Sequence, residues 1–215
     1  MAASWRDPWR DAWRDERFRP RLWIMLVTLV TFSASFSMFV GYVEARTGAV
    51  LNDPFLALLP RADLTWFTFA LIHIAIPVGL IALIRQPWQV VLTLQTWAAM
   101  LVLRMAAMYV TPLDPPADVI PLVDPFAQMM FGKDEAPLRD LFFSGHTSTM
   151  FILFLTATDR RMKALFFGLT LLVVAAVLIQ RVHYTLDVLA APFFVFALYR
   201  LLVPIYTPAP VPRAP

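Results

Sequence analysis

Two histidines and one aspartate carry the chemistry legible in this chain. Asp140-Leu-Phe-Phe-Ser-Gly-His146-Thr puts a histidine at the head of an apolar run, and His183-Tyr-Thr-Leu-Asp187 puts another one helical turn before a carboxylate. Residues four apart share a helix face. Asp187 can therefore accept the imidazole N–H of His183, fix its tautomer and stabilise the imidazolium. The other ring nitrogen is then free to attack phosphorus. Ser144 is a good N-cap, and the amides behind it form the positive end of a helix, which suits a phosphate oxygen. Gly145 lets the backbone approach closely. His146 can hydrogen-bond that phosphate or protonate a departing alkoxide. Each motif also has a plainer reading: a buried polar pair that satisfies itself, or a capped helix whose histidine faces water.

Other residues could support the three. Arg104 and Arg181 are candidate phosphate ligands, because a guanidinium fork matches phosphate oxygens bidentately. Snorkelling to the headgroups is the alternative for both. Asp140 and Tyr109 are supporting candidates. His73 lies four residues before Pro77, and a structural hydrogen bond to a carbonyl freed by the proline is expected there, outside the catalytic set. Two histidines and an aspartate could also bind zinc or manganese. Beyond Asp140 nothing nearby completes a coordination sphere, so neither a metal nor a cofactor is expected.

These groups must be held by elements of an apolar chain. Of 215 residues, 60% are hydrophobic and 15% charged, and mean hydropathy is +0.66, whereas soluble domains carry about 25% charged residues. The expected class is all-α, a polytopic membrane protein of six transmembrane helices. The net charge of +3 suggests no nucleic-acid partner, and the absence of cysteine excludes disulfides and thiolate chemistry. Apolar segments lie at 22–43, 64–84, 88–110, 145–158, 164–181 and 183–203. The first is long enough to span and exceeds a secretory signal's apolar region, so it reads as an uncleaved span. The fourth is the shortest, and spans only if its polar head opens into a protein-lined cavity. The connector 111–143 holds six prolines, which rule out a helix running through it.

Three regions follow: an interfacial N-terminal segment (1–21), a catalytic bundle (22–203) and a proline-rich, disordered tail (204–215). In the first, Trp5-Arg6-Asp7, Trp9-Arg10-Asp11 and Trp13-Arg14-Asp15 repeat every four residues. That step puts a tryptophan stripe on one helix face, suited to the headgroup layer. Lysine and arginine set the orientation. With both termini cytoplasmic, the inner side carries the N-terminal arginines with Arg85, Arg160, Arg161, Lys163 and Arg200. The outer side carries Arg46, Arg61, Lys133, Arg139 and Arg181. His146, His183 and Arg104 then share the outer face.

Arg104–Pro116 (RMAAMYVTPLDPP), Asp140–Thr147 (DLFFSGHT) and His183–Val188 (HYTLDV) occur in an order that resembles the sphingomyelin synthase branch of the phosphatidic acid phosphatase type 2 (PAP2) superfamily. The resemblance covers the second half of the chain by motif and the first half by topology. It implies a PAP2-like bundle with an exoplasmic site, His183 as nucleophile, Asp187 as its orienter, and His146 as acid and then base. The implied reaction moves a phospholipid headgroup to a lipid alcohol, ceramide among them, through a phosphohistidine. The partners are thus a membrane phospholipid donor and a lipid alcohol acceptor. Water as acceptor would make the same site a lipid phosphate phosphatase. A non-catalytic lipid-binding protein has no need of all three residues, and a transporter would show inverted repeats or glycine-broken helices. The abundance of arginine over lysine hints at a GC-rich bacterium and its inner membrane.

Overall fold

A computed structural model of the chain describes residues 6–124, 129 and 136–207. Trp5, Lys133 and residues 208–215 of the tail lie outside the described residues. Eight helices are described: α1 Arg6–Arg14, α2 Phe18–Glu44, α3 Pro54–Leu58, α4 Thr65–Leu83, α5 Pro87–Val110, α6 Gly145–Thr156, α7 Arg160–Ile179 and α8 Thr185–Tyr206. Their starts follow local chemistry. Asp53 caps α3 through the Leu56 amide with Pro54 at the first position. Asp159 caps α7 through the amides of Arg161 and Met162, and α5 opens on Pro87.

Five helices, α2, α4, α5, α7 and α8, are long and apolar enough to cross a membrane. The expected fourth span is instead the 12-residue α6, about 18 Å at 1.5 Å per residue. It is flanked by the long legs and packs on α5, α7 and α8, so protein rather than lipid surrounds its short backbone. Large apolar side chains such as Val30, Met38, Ile74 and Phe193 stand exposed on the long helices, as expected where the solvent is hydrocarbon.

The legs alternate. The C-terminal ends of α2 and α5 meet where Arg46 donates to the Tyr109 carbonyl. The starts of α6 and α8 meet where the Ser144 amide donates to the Asp187 carbonyl. At the opposite end, Phe18 of α2 and Tyr206 of α8 share one cluster with Val91 and Leu92 of α5. Residues 18 and 206 therefore stand at the same end of the bundle. The bundle core has two further clusters. One joins α4, α6, α7 and the start of α8 around Met150, Phe166 and Val173. The other joins α5, α6 and α8 around Met100, Phe143 and Ala191.

Two boundaries differ from the sequence expectation. The first long helix begins at Phe18 rather than Leu22, because Phe18 is fully buried among the rings of Trp9, Trp13 and Trp88, 5.1–6.2 Å away. The tryptophan helix α1 folds onto this cluster, and the Trp9 indole N–H donates to the Ile84 carbonyl at 2.6 Å. The last helix runs through Pro204 to Tyr206, inside the expected tail. Burial of Tyr206 in the same cluster outweighs the one backbone bond a proline removes. We expect Phe18→Ala to destabilise the folded protein by about 3–5 kcal/mol, read as a lowered unfolding temperature in detergent. Trp13→Ala, which truncates an exposed ring, should shift it far less.

Candidate active site

The segment before α6 is built around one guanidinium. Arg104, in the last two turns of α5, is 4% exposed. Its Nε donates to the Phe143 carbonyl at 2.6 Å, and its Nη2 to Asp140 Oδ1 at 2.7 Å. Phe36 of α2 covers the guanidinium at 5.1 Å. The group is too deep for snorkelling, and it ties the Asp140–Phe143 turn to the bundle. Ser144 then caps α6, its Oγ accepting from the Thr147 amide at 3.3 Å. Glycine at 145 has a definite cause: a Cβ there would lie 2.7 Å from Arg104 Nη1 and 3.0 Å from Cζ.

The second motif is delivered by a tight reversal. The Val182 amide donates to the Val177 carbonyl and the Arg181 amide to the Leu178 carbonyl, the paired bonds of a Schellman end. Arg181 holds the left-handed position of that motif, φ 60°, where glycine is usual. The turn places His183 two residues ahead of α8. Asp187 is fully buried, and His183 is 2% exposed. Asp187 Oδ2 accepts the Tyr184 amide at 2.9 Å and faces His183 Nδ1 at 3.4 Å. Nε2 of His183 is thus the nitrogen turned away from the carboxylate. The Ser144 amide donates to the Asp187 carbonyl at 3.1 Å, joining the two motifs directly. The rings of His146 and His183 stand 5.9 Å apart at 65°. His146 Nδ1 and Asp187 Oδ1 are buried without a protein hydrogen-bond partner, a cost that functional sites retain.

Two cavities meet at this pair. The smaller, about 260 Å³, is lined by both histidines with Phe69, Asp124, Asp140 and loop residues 136–138. The larger, about 510 Å³, runs among α2, α4, α5 and α6 past Leu29, Ile76, Leu80, Trp97 and Met100. His146, Phe69, Asp124 and Asp140 line both.

Of the residues expected from sequence, His146, His183, Asp187, Ser144, Gly145, Asp140 and Arg104 come together. Arg181 and Tyr109 do not line either cavity. Arg181 Nη1 approaches Asp118 Oδ2 at 3.7 Å. Tyr109 is 60% exposed, stacked on Tyr42 with Arg46 over both rings. His73 Nε2 faces Asp124 Oδ2 at 3.5 Å. Among the described residues no three side chains converge as metal ligands.

Several positioning residues were missed in the sequence. Asp53 caps α3 and also accepts the Thr185 amide at 2.6 Å and the Thr185 hydroxyl at 3.1 Å, holding the start of α8. Burial works to raise its pKa, but the amides of Leu56 and Thr185 with the Thr185 hydroxyl outweigh it and hold the carboxyl below its usual value. The Tyr184 hydroxyl donates to the Asp114 carbonyl and accepts the Leu51 amide. Gln180 is fully buried and bonds Leu64, Thr65 and Ile120. Arg139 grips Asp114 and the end of α2 at Glu44, and its hydrogen bond holds the Asp114 carboxyl below its usual pKa. The Asp53-Pro54 cap was readable from sequence. Its second duty on α8 depends on a partner 132 residues away.

Residues 139–204 match the family model described as PAP2 superfamily C-terminal. The matched segment contains both motifs. No curated protein matches the chain.

Three substitutions test the geometry. Gly145→Ala must displace a guanidinium pinned at two points, so we expect turnover to fall at least about 10-fold, with roughly 1–3 kcal/mol lost in stability. Arg104→Lys cannot make both bonds and should unfold at distinctly lower temperature. Arg181→Gly relieves left-handed strain worth about 1–2 kcal/mol, so thermal stability should hold or rise. Folded-state pKa values of Asp53 and Asp114 below the unfolded value near 3.9 mean their stabilisation is full above that pH. It is lost only as pH falls through the depressed values. Asp53→Asn should remove that part of the acid-unfolding profile.

Proposed function

We propose that the protein is an integral-membrane lipid phosphotransferase that moves a phospholipid phospho-headgroup to a lipid alcohol through a phosphohistidine. One observation carries the reading. Both histidines line a small cavity, with Asp124 and Asp140, that shares His146 and Phe69 with a larger and more apolar one. A lipid phosphate has the same two parts: its chains fit the apolar cavity, and its phosphate reaches the histidines.

His183 Nε2 attacks phosphorus while Asp187 Oδ2 faces Nδ1 and stabilises the positive charge that develops. The P–O bond to the donor lipid breaks, and His146 gives its proton to the leaving oxygen. His146 then takes the proton of an acceptor hydroxyl, whose oxygen attacks phosphorus as the P–N bond breaks. Splitting one displacement into two easier steps is the logic of covalent catalysis. The α6 amides after Ser144, with Arg104 Nη1 beside Gly145, supply positive field to the phosphate. Arg181 serves the turn that presents His183. Ceramide as acceptor follows from the likeness to sphingomyelin synthases. The lysine and arginine distribution supports a site on the outer face of a bacterial inner membrane, with both termini inside.

Purified protein in lipid, supplied with a headgroup-labelled phospholipid, tests the mechanism. His183→Ala should abolish turnover and the label on protein, and Asp187→Asn should lower turnover about 100-fold or more. Undiminished turnover in His183→Ala would sink the mechanism. We read the chemistry as metal-independent, so turnover should be unchanged in EDTA. Hydrolysis is the second reading, favoured by the direct junction of the polar cavity with His183. It predicts free headgroup phosphate without any acceptor lipid.

A further inference from the structure

One hydroxyl on the wall of the larger cavity keeps its hydrogen unspent. Thr149 follows His146 by three residues on α6, so it shares that histidine's face about 4.5 Å further along the helix. It lines the larger cavity but not the smaller one. A serine or threonine hydroxyl inside a helix can return to the carbonyl four residues back. Ser33 and Thr93, on the same wall, do so at 2.6 and 2.7 Å, and Ser148, beside Thr149 in the chain, does so at 2.6 Å. Thr149 does not. Its Oγ1 accepts from the Trp97 indole N–H of α5 at 3.3 Å, and among the described residues nothing accepts its own hydrogen. The hydroxyls of Thr68 and Thr147 also lack a partner, but neither residue lines either cavity.

A hydroxyl oxygen accepts and donates at once, so the Trp97 contact orients the group and leaves its hydrogen for something in the cavity. The wall around it is apolar, formed by residues such as Leu29, Phe36, Ile72, Met100 and Ile152. A polar group there is costly at membrane depth and marks function. Its position says what it meets. With the phosphate at His146, the donor's chains run down the larger cavity past Thr149. In a diacyl phospholipid an ester carbonyl follows the phosphate by only a few bonds. We propose that Thr149, oriented by Trp97, is a specificity-determining residue whose hydroxyl donates to an acyl carbonyl of the bound donor. The proposal rests on the phosphotransferase reading, in which this cavity takes the donor's chains, and deepens it. The donor class becomes acyl-linked phospholipid rather than any long chain that carries a phosphate. A carbonyl oxygen accepts and cannot donate, which matches the single hydrogen on offer. An ether-linked chain lacks that oxygen. Water bonded to Thr149 instead would give no discrimination between the two linkages.

The test uses full-length protein in mixed micelles with two headgroup-labelled donors, a diacyl phospholipid and its dialkyl ether analogue of the same headgroup and chain length. The readout is the ratio of kcat/KM for cleavage of the two donors. One neutral hydrogen bond should make the parent prefer the diacyl donor by about 3–10-fold, with the difference carried by KM. Thr149→Val keeps the shape and removes the hydroxyl, and the ratio should fall to about 1. Thr149→Ser restores the hydroxyl and should restore the preference. Unfolding temperatures of both variants are compared with the parent, and the ratio stays informative wherever both donors are turned over. A parent protein that does not distinguish the two donors would overturn the proposal. So would a preference that survives in Thr149→Val, or one lost equally in Thr149→Ser, since either outcome leaves the hydroxyl with a structural part only. Failure of the phosphohistidine reading shows separately, as cleavage of both donors retained in His183→Ala.

Discussion

The buried guanidinium of Arg104 is the constraint on which the site depends. A charge taken out of water is tolerated only when paired and hydrogen-bonded, and Arg104 finds its partners in the Asp140 carboxylate and the Phe143 carbonyl. Those two bonds fix the turn that ends at Ser144. That turn sets where α6 starts and hence where His146 sits. The same charge forbids a side chain at position 145. The Ser144 amide in turn grips the Asp187 carbonyl, so the position of α8 follows from the same anchor.

A layer of loops completes the site end of the bundle. Asp53, Tyr184, Gln180 and Arg139 each bond segments far apart in sequence. Together they bring loop 44–63 and the described parts of the connector onto the starts of α6 and α8. Irregular backbone near membrane depth needs such partners, since hydrocarbon offers none. The short α6 has the same explanation. Its ends are satisfied inside protein, and its brevity leaves room above for the polar cavity.

The two cavities divide the work by medium. The smaller one brings the Asp124 and Asp140 carboxylates onto the same wall as both histidines. The apolar one recruits by hydrophobic burial and is lined by α2, the helix least enclosed by the rest of the bundle. His146 stands on the boundary, as a group must if it serves both a leaving and an attacking lipid oxygen.

Much of this was legible in the residues themselves. Apolar runs bounded by charge declared the helices, because hydrocarbon requires every backbone group to be paired within its own segment. The spacing of His183 and Asp187 suggested their pairing, but by a different route: His183 stands before the first turn of α8, and the cap that Asp187 makes with the Tyr184 amide brings the carboxylate to it. Ser144 declared a cap. Boundaries set by distant packing were not legible: Phe18 and Tyr206 extend their helices because each buries its ring in a cluster drawn from four elements. Nor were the outcomes for Arg104, Arg181, Tyr109 and His73, all polar side chains within or beside apolar segments. Sequence assigns such a group a cost but not a partner. Only the tertiary structure decided that Arg104 would meet Asp140, that Arg181 would shape a turn, that Tyr109 would face outward, and that His73 would meet Asp124 on a cavity wall.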